Sequence, residues 1–134
     1  MRPLPRVMVA PNGARLTRAD HPALPVAIPQ ILSCAQACWQ AGADGLHANV
    51  RGADGGHSLD AGLYAELLQE CAAAMPGFYV QITTESEGKY TPQAQRDLVT
   101  ALRPPAVSIA IREITADGDD APIRPSSGFA ATPE

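Results

Sequence analysis

Leu46-His47-Ala48-Asn49-Val50-Arg51 decides how this chain is read. Leu46, Ala48 and Val50 alternate with His47, Asn49 and Arg51, so the first set shares one side of a strand and the second set the other. A strand buried on both faces of a structural parallel sheet has little use for three polar residues on one side. In α/β proteins the ends of such strands, with the loops that follow them, carry the chemistry.

Working outward, Arg6 to Ala10 is a short β-type run ended by the turn signal Pro11-Asn12-Gly13, and residues 14 to 27 form a long loop. Pro29 suits the first turn of a helix. Ile28, Ile31, Leu32, Ala35, Cys38 and Trp39 make its apolar face, with Gly42 as its C-terminal cap. After strand two, Asp60 is placed to cap a helix whose apolar face is Leu63, Leu67, Leu68, Cys71 and Met75. Phe78 to Thr83 is the third strand. Thr91-Pro92 starts a helix with Leu98, Val99 and Leu102 inward, and Val107 to Ile111 is the fourth strand. The order β-α-β-α-β-α-β predicts parallel strands joined by right-handed crossovers. It fits a small open sheet or half of a (β/α)₈ barrel, and no G-x-G-x-x-G follows strand one to support a dinucleotide-binding sheet. Residues 116–134 offer little to bury and are expected to form a disordered tail behind a domain at 1–115.

Composition narrows the partners. At 134 residues the chain is one domain's worth, and its net charge of −4 with scattered basic residues leaves no footprint for nucleic acid. No apolar run nears the roughly 20 residues of a membrane span, and Met1 to Arg6 lacks a signal-peptide core. A cytoplasmic protein is expected. The three cysteines, Cys34, Cys38 and Cys71, have no C-x-x-C spacing and read as small buried side chains.

Polar residues reach the C-terminal strand ends at Asn12 and Arg15, at His47, Asn49 and Arg51, at Thr83, Thr84 and Glu85, and at Arg112 and Glu113. Arg51 suits either a substrate carboxylate or an acid such as Glu85. His57, in the loop after strand two, is a substitute ligand for a metal, and His21 reads as structural. Asp117, Asp119 and Asp120 read as solvated charges.

Six stretches in order, Val9 to Arg15, Asp20 to Val26, Ala41 to Asp44, Val50-Arg51, His57 to Asp60 and Val80 to Glu85, together resemble the β-keto acid cleavage enzymes, which include the 3-keto-5-aminohexanoate cleavage proteins. The resemblance runs from about residue 6 to 115. It implies the N-terminal half of a TIM barrel, a divalent metal (usually zinc), and cleavage of a β-keto acid with acetyl-CoA to give acetoacetate and a new CoA ester. It also implies a His-x-His metal pair at the end of strand two and a Glu from a later strand, with the metal polarising the keto oxygen. On that pattern His47 is the metal ligand, Arg51 the carboxylate anchor, and Thr83, Thr84 and Glu85 line the site. The chain departs from the pattern at Asn49, where the second histidine stands, at Gly52, where an Asp follows the Val-Arg, and in lacking the later strands. A truncated protein, weak or inactive alone, is therefore expected, with self-association of its open strand edges into a homo-oligomer. The alternative is a non-catalytic remnant or self-assembling half-barrel module.

Overall fold

A computed structural model describes residues 3–114 and 131–133. The chain folds as Met8–Val9 (β1), Ile28–Gln40 (α1), Gly45–Ala48 (β2), Ala61–Ala74 (α2), Tyr79–Thr83 (β3), Pro92–Leu102 (α3), Val107–Ile109 (β4), Ile111–Ile114 (α4) and Ala131–Pro133 (β5). The strands are parallel and lie in the order β1-β2-β3-β4-β5.

That order resolves what periodicity left open. A doubly wound sheet reverses its strand order at a switch point. Here every strand lies beside its predecessor, and right-handed crossovers in that order put the helices between β1 and β4 on the same face. Accordingly α1 packs on α2, α2 on α3, and α3 on α4. This singly wound α/β arrangement is consistent with part of a TIM barrel.

Local chemistry starts and stops the elements where the sequence marks them. Gln30 Oε1 accepts from the Val26 and Ala27 N–H groups, both at 3.0 Å, at the start of α1. Asp60 Oδ1 accepts from Leu63 N at 2.8 Å, and Thr91 Oγ1 from Ala94 N at 3.2 Å with Pro92 following. Gly42, at φ +105°, turns the chain out of α1, a conformation that costs glycine nothing. Asp44 fixes β1 beside β2 by accepting from Arg6 N (3.0 Å) and Val7 N (2.8 Å), and these bonds hold its carboxyl below the usual carboxylate range.

The core lies between the sheet and the helices. Leu46, Ala48 and Val50 of the second strand run, with Val80 and Ile82 of β3, pack against Ile31, Ala35, Tyr64, Leu67, Cys71 and Leu98. The helical faces are narrower than their apolar patterns. On α2 the buried line is Tyr64, Leu67 and Cys71, while Leu63 and Leu68 are only half-buried. Trp39 is 39% exposed. Burial pushes the Cys71 thiol up to about 11, and Cys34 is likewise raised by desolvation and its neighbour Cys38, so neither is poised as a nucleophile.

Two features depart from the sequence reading. The fourth strand ends at Ile109 because the chain enters α4 at Ile111. The segment expected to be a disordered tail falls largely outside the described residues, but its Ala131–Pro133 pair with β4 as a fifth strand. Three residues with no apolar pattern carry no strand signal of their own, and β5 exists through the backbone bonds that β4 offers.

Candidate functional site

The strands present a polar face on the side away from the helices. Between apolar neighbours that enter the core stand His47 on β2, Gln81 on β3 and Ser108 on β4, and Thr83 follows the core residue Ile82 on the same side as Gln81. The register places them in rows. His47 pairs with Gln81, and its Nδ1 lies 2.9 Å from Gln81 Oε1. Carrying the β1–β2, β2–β3 and β3–β4 registers forward aligns Asn12, Asn49, Thr83 and Ser108 as a second row nearer the strand ends.

This second row is tightly held. Asn12 Nδ2 donates to Asn49 O (2.8 Å) and Pro25 O (3.1 Å). Ser108 Oγ donates to Thr83 Oγ1 at 3.1 Å, which also accepts from Glu85 N at 3.1 Å. All four side chains are buried, Asn49 and Thr83 to 1% exposure. The Oδ1 atoms of Asn12 and Asn49 are nonetheless buried without a hydrogen-bond partner.

The remaining predicted residues go elsewhere. Thr84 points to the opposite side from Thr83. Its Oγ1 donates to Ser108 O at 3.0 Å, and its own carbonyl accepts from the buried Gln95 Nε2 at 2.7 Å. Glu85 does not pair with Arg51: its carboxylate meets Arg15 at 3.2 Å, and Arg15 also reaches Glu87 at 3.3 Å. Arg15 is 75% exposed in its side chain, so these surface pairs stabilise little.

Arg51, expected as a carboxylate anchor, makes its hydrogen bonds in this structure to backbone carbonyls. Its Nη1 donates to Gly55 O (2.9 Å), and its Nη2 to the carbonyls of Asn12 (3.2 Å), Gly13 (2.8 Å) and Leu16 (2.9 Å). At 6% exposure, it ties the β1–α1 loop to the loop after β2, which the Arg51–His57 bridge closes. Desolvation lowers its pKa, and Glu87 pulls the other way. Its Nε is buried without a partner, the one guanidinium nitrogen that makes no hydrogen bond.

His57 is likewise committed as a loop tie. Its Nε2 lies 2.7 Å from Glu85 O, so it donates there, and its own carbonyl accepts from Lys89 Nζ (3.2 Å) and Tyr90 Oη (3.4 Å). His21 Nδ1 accepts from Ala23 N at 3.2 Å, a structural turn as expected. No group of three His, Cys, Asp or Glu suited to a metal exists among the described residues. The donor set does not fit the zinc site that the resemblance implies: an amide stands where a second imidazole is needed. Asp117, Asp119 and Asp120 lie outside the described residues.

Beside the rows, on the rim, a cleft of about 1020 Å³ opens between the β1–α1 loop, the start of α1 and the Gly52–Gly56 loop. Arg15, Arg18, Arg51, Glu66 and Glu87 line it, whereas His47 and Asn49 do not.

Residues 6–132 match the family model of the beta-keto acid cleavage enzyme. The chain belongs to that family. It is also 29% identical over 104 residues to a protein of Cupriavidus necator described as 3-oxoadipate:acetyl-CoA acetyltransferase. The match covers 78% of this chain and 36% of the relative, so the chain spans about a third of that relative's length. In this family member the polar rows and the cleft sit at the C-terminal strand ends, where α/β barrels act. Gln81 and Ser108 belong to those rows although neither was among the predicted site residues. Each stands between two apolar neighbours, Val80 and Ile82 or Val107 and Ile109, the same alternation that marked His47. Among the described residues no helix is long and apolar enough to cross a membrane.

Proposed function

We propose that this chain supplies the β-keto acid-binding face of a β-keto acid cleavage enzyme, with acetyl-CoA as co-substrate. The observation that carries the proposal is the buried polar surface of His47, Asn49, Gln81, Thr83 and Ser108 on consecutive parallel strands, in a chain matched to the family over residues 6–132. The reaction exchanges acyl groups: R–CO–CH₂–COO⁻ and acetyl-CoA give acetoacetate and R–CO–CoA. The bond between the keto carbon and the CH₂–COO⁻ unit breaks. That unit joins the acetyl carbonyl, and the released acyl group leaves on the CoA sulfur. Thr83 and His47 are the groups on this face able to meet the keto acid's oxygens, and Glu85 and Thr84 hold the loop behind them. The Arg15- and Arg18-bearing cleft suits the anionic arm of a CoA ester. The relative's printed substrate, 3-oxoadipate, is the first keto acid to try.

The incomplete metal set lowers the expected rate. With acetyl-CoA labelled in its acetyl group, the pure chain and 3-oxoadipate are expected to yield labelled acetoacetate at a turnover well below the ordinary enzymatic range of about 1–10³ s⁻¹. Mass spectrometry of the products checks this. Binding of the keto acid with no label transferred would favour the second reading, a scaffold that keeps the face without the chemistry; Asn49 is the observation on its side.

The outer edge of β1 gives this proposal an assembly. Leu4, Val7 and Met8 beside that edge are 64%, 53% and 39% exposed, and an open parallel edge invites a strand. A second copy of the chain is the proposed partner. Sedimentation equilibrium should return twice the chain mass and Val7→Lys should lower it; a monomer at all concentrations would count against a homo-oligomer.

A further inference from the structure

Two acceptors in the row nearest the strand ends have nothing to accept from, and for Asn12 rotating the amide gives no relief. Asn12 is fixed by its two donated bonds, to Pro25 O and Asn49 O. Turning its amide over would set its oxygen against those two carbonyls. Its Oδ1 therefore stays the outward acceptor. The Asn49 Oδ1 beside it in the row is equally partnerless in a side chain only 1% exposed. Buried polar atoms in folded proteins nearly always have partners, and an orphan marks a water, an ion or a ligand.

The chemistry of the pair selects among these. Neutral amide oxygens attract hydrogen-bond donors and repel carbonyls and carboxylates. Zinc prefers imidazole and thiolate, and one imidazole supplies a single ligand of the three protein ligands a catalytic zinc site commonly uses. Among the other candidates, Glu85 is engaged by Arg15, and Glu113 by Ser86 N at 2.8 Å and Gln95 Nε2 at 3.1 Å. His57 gives Nε2 to Glu85 O and keeps an unpartnered Nδ1, but among the described residues it belongs to no group of three ligands. We infer that Asn12 and Asn49 hold a hydrogen-bond donor, water in the resting protein and an O–H of a bound molecule when occupied, and that this position is hydrogen-bonding where the family's zinc ligand is expected. The inference rests on the proposed function only for the identity of the face.

Two readouts test it without any turnover, so its failure and that of the proposed function are separable. The first is calorimetric titration of the full chain with zinc alone. The native protein should show no stoichiometric uptake, while Asn49→His, which places two imidazoles on alternate β2-side positions, should bind at least about tenfold tighter. Stoichiometric zinc on the native chain, or no gain in a folded Asn49→His, overturns the inference. The second is thermal melting of Asn49→Leu, a near-isosteric removal of the acceptor. A held water makes this substitution destabilising, because its bonds are lost. A rise in melting temperature would mean that the oxygen is empty, and would overturn the inference even if Asn49→His failed to fold.

Discussion

Arg51→Ala is expected to lower the melting temperature by about 10–15 °C. The guanidinium joins four backbone carbonyls from two loops, at 2.8 to 3.2 Å. Hydrogen bonds from a charged donor contribute about 1.5–3 kcal/mol each when fully buried. Three of these four are only part-buried, and water would replace much of what is lost there. A net cost of about 3 kcal/mol follows, and for a domain of this size each kcal/mol shifts the midpoint by about 3–5 °C. Arg51→Lys keeps the charge but not the fork, so it should recover less than half of the loss. Calorimetry of the three proteins separates the loop tie from the carboxylate anchor. A variant with an unchanged midpoint but weakened keto acid binding would restore the anchor.

Tyr64→Ala should be comparably severe, costing about 3–5 kcal/mol by urea unfolding. The ring is fully buried behind the second strand run, packed with Leu46, Ala48 and Val50. Its hydroxyl reaches Ala48 O at 3.4 Å, a long and weak bond. Tyr64→Phe keeps the packing and should cost less than about 1 kcal/mol. A large cost for Phe and a small one for Ala would show that the hydroxyl, not the volume, holds the strand. Because Ala48 lies between His47 and Asn49, collapse around the cavity left by the missing ring should also disturb both polar rows, and zinc uptake by Asn49→His should weaken in that background.

Strand alternation made the fold legible: Leu46, Ala48 and Val50 are core, and Asp60, Thr91 and Pro29 start helices where short-range hydrogen bonding requires. Barrel-like winding was legible only through the family resemblance, since strand order is a tertiary property that no local period encodes. Tyr64 lies on the same helical face as Leu67 and Cys71 and escaped the reading because a phenol counts as only half apolar, although its position fits the stripe. At the site, His47, Asn49 and Thr83 stand on the predicted face, whereas Thr84 and Arg51 turned to backbone partners. A guanidinium donates to carbonyls as well as to carboxylates, so its type alone does not name its target. Gln81 and Ser108 were legible in principle, having the same apolar-polar-apolar setting as His47.

The central claim is that a β-keto acid binds at the C-terminal ends of the parallel strands. Amide shift mapping of the ¹⁵N-labelled chain with 3-oxoadipate tests it most directly. Saturable shifts confined to residues around His47, Asn49, Thr83 and Ser108 are the predicted result. An unperturbed spectrum, or saturable shifts centred on the Cys34 face of α1, would contradict it.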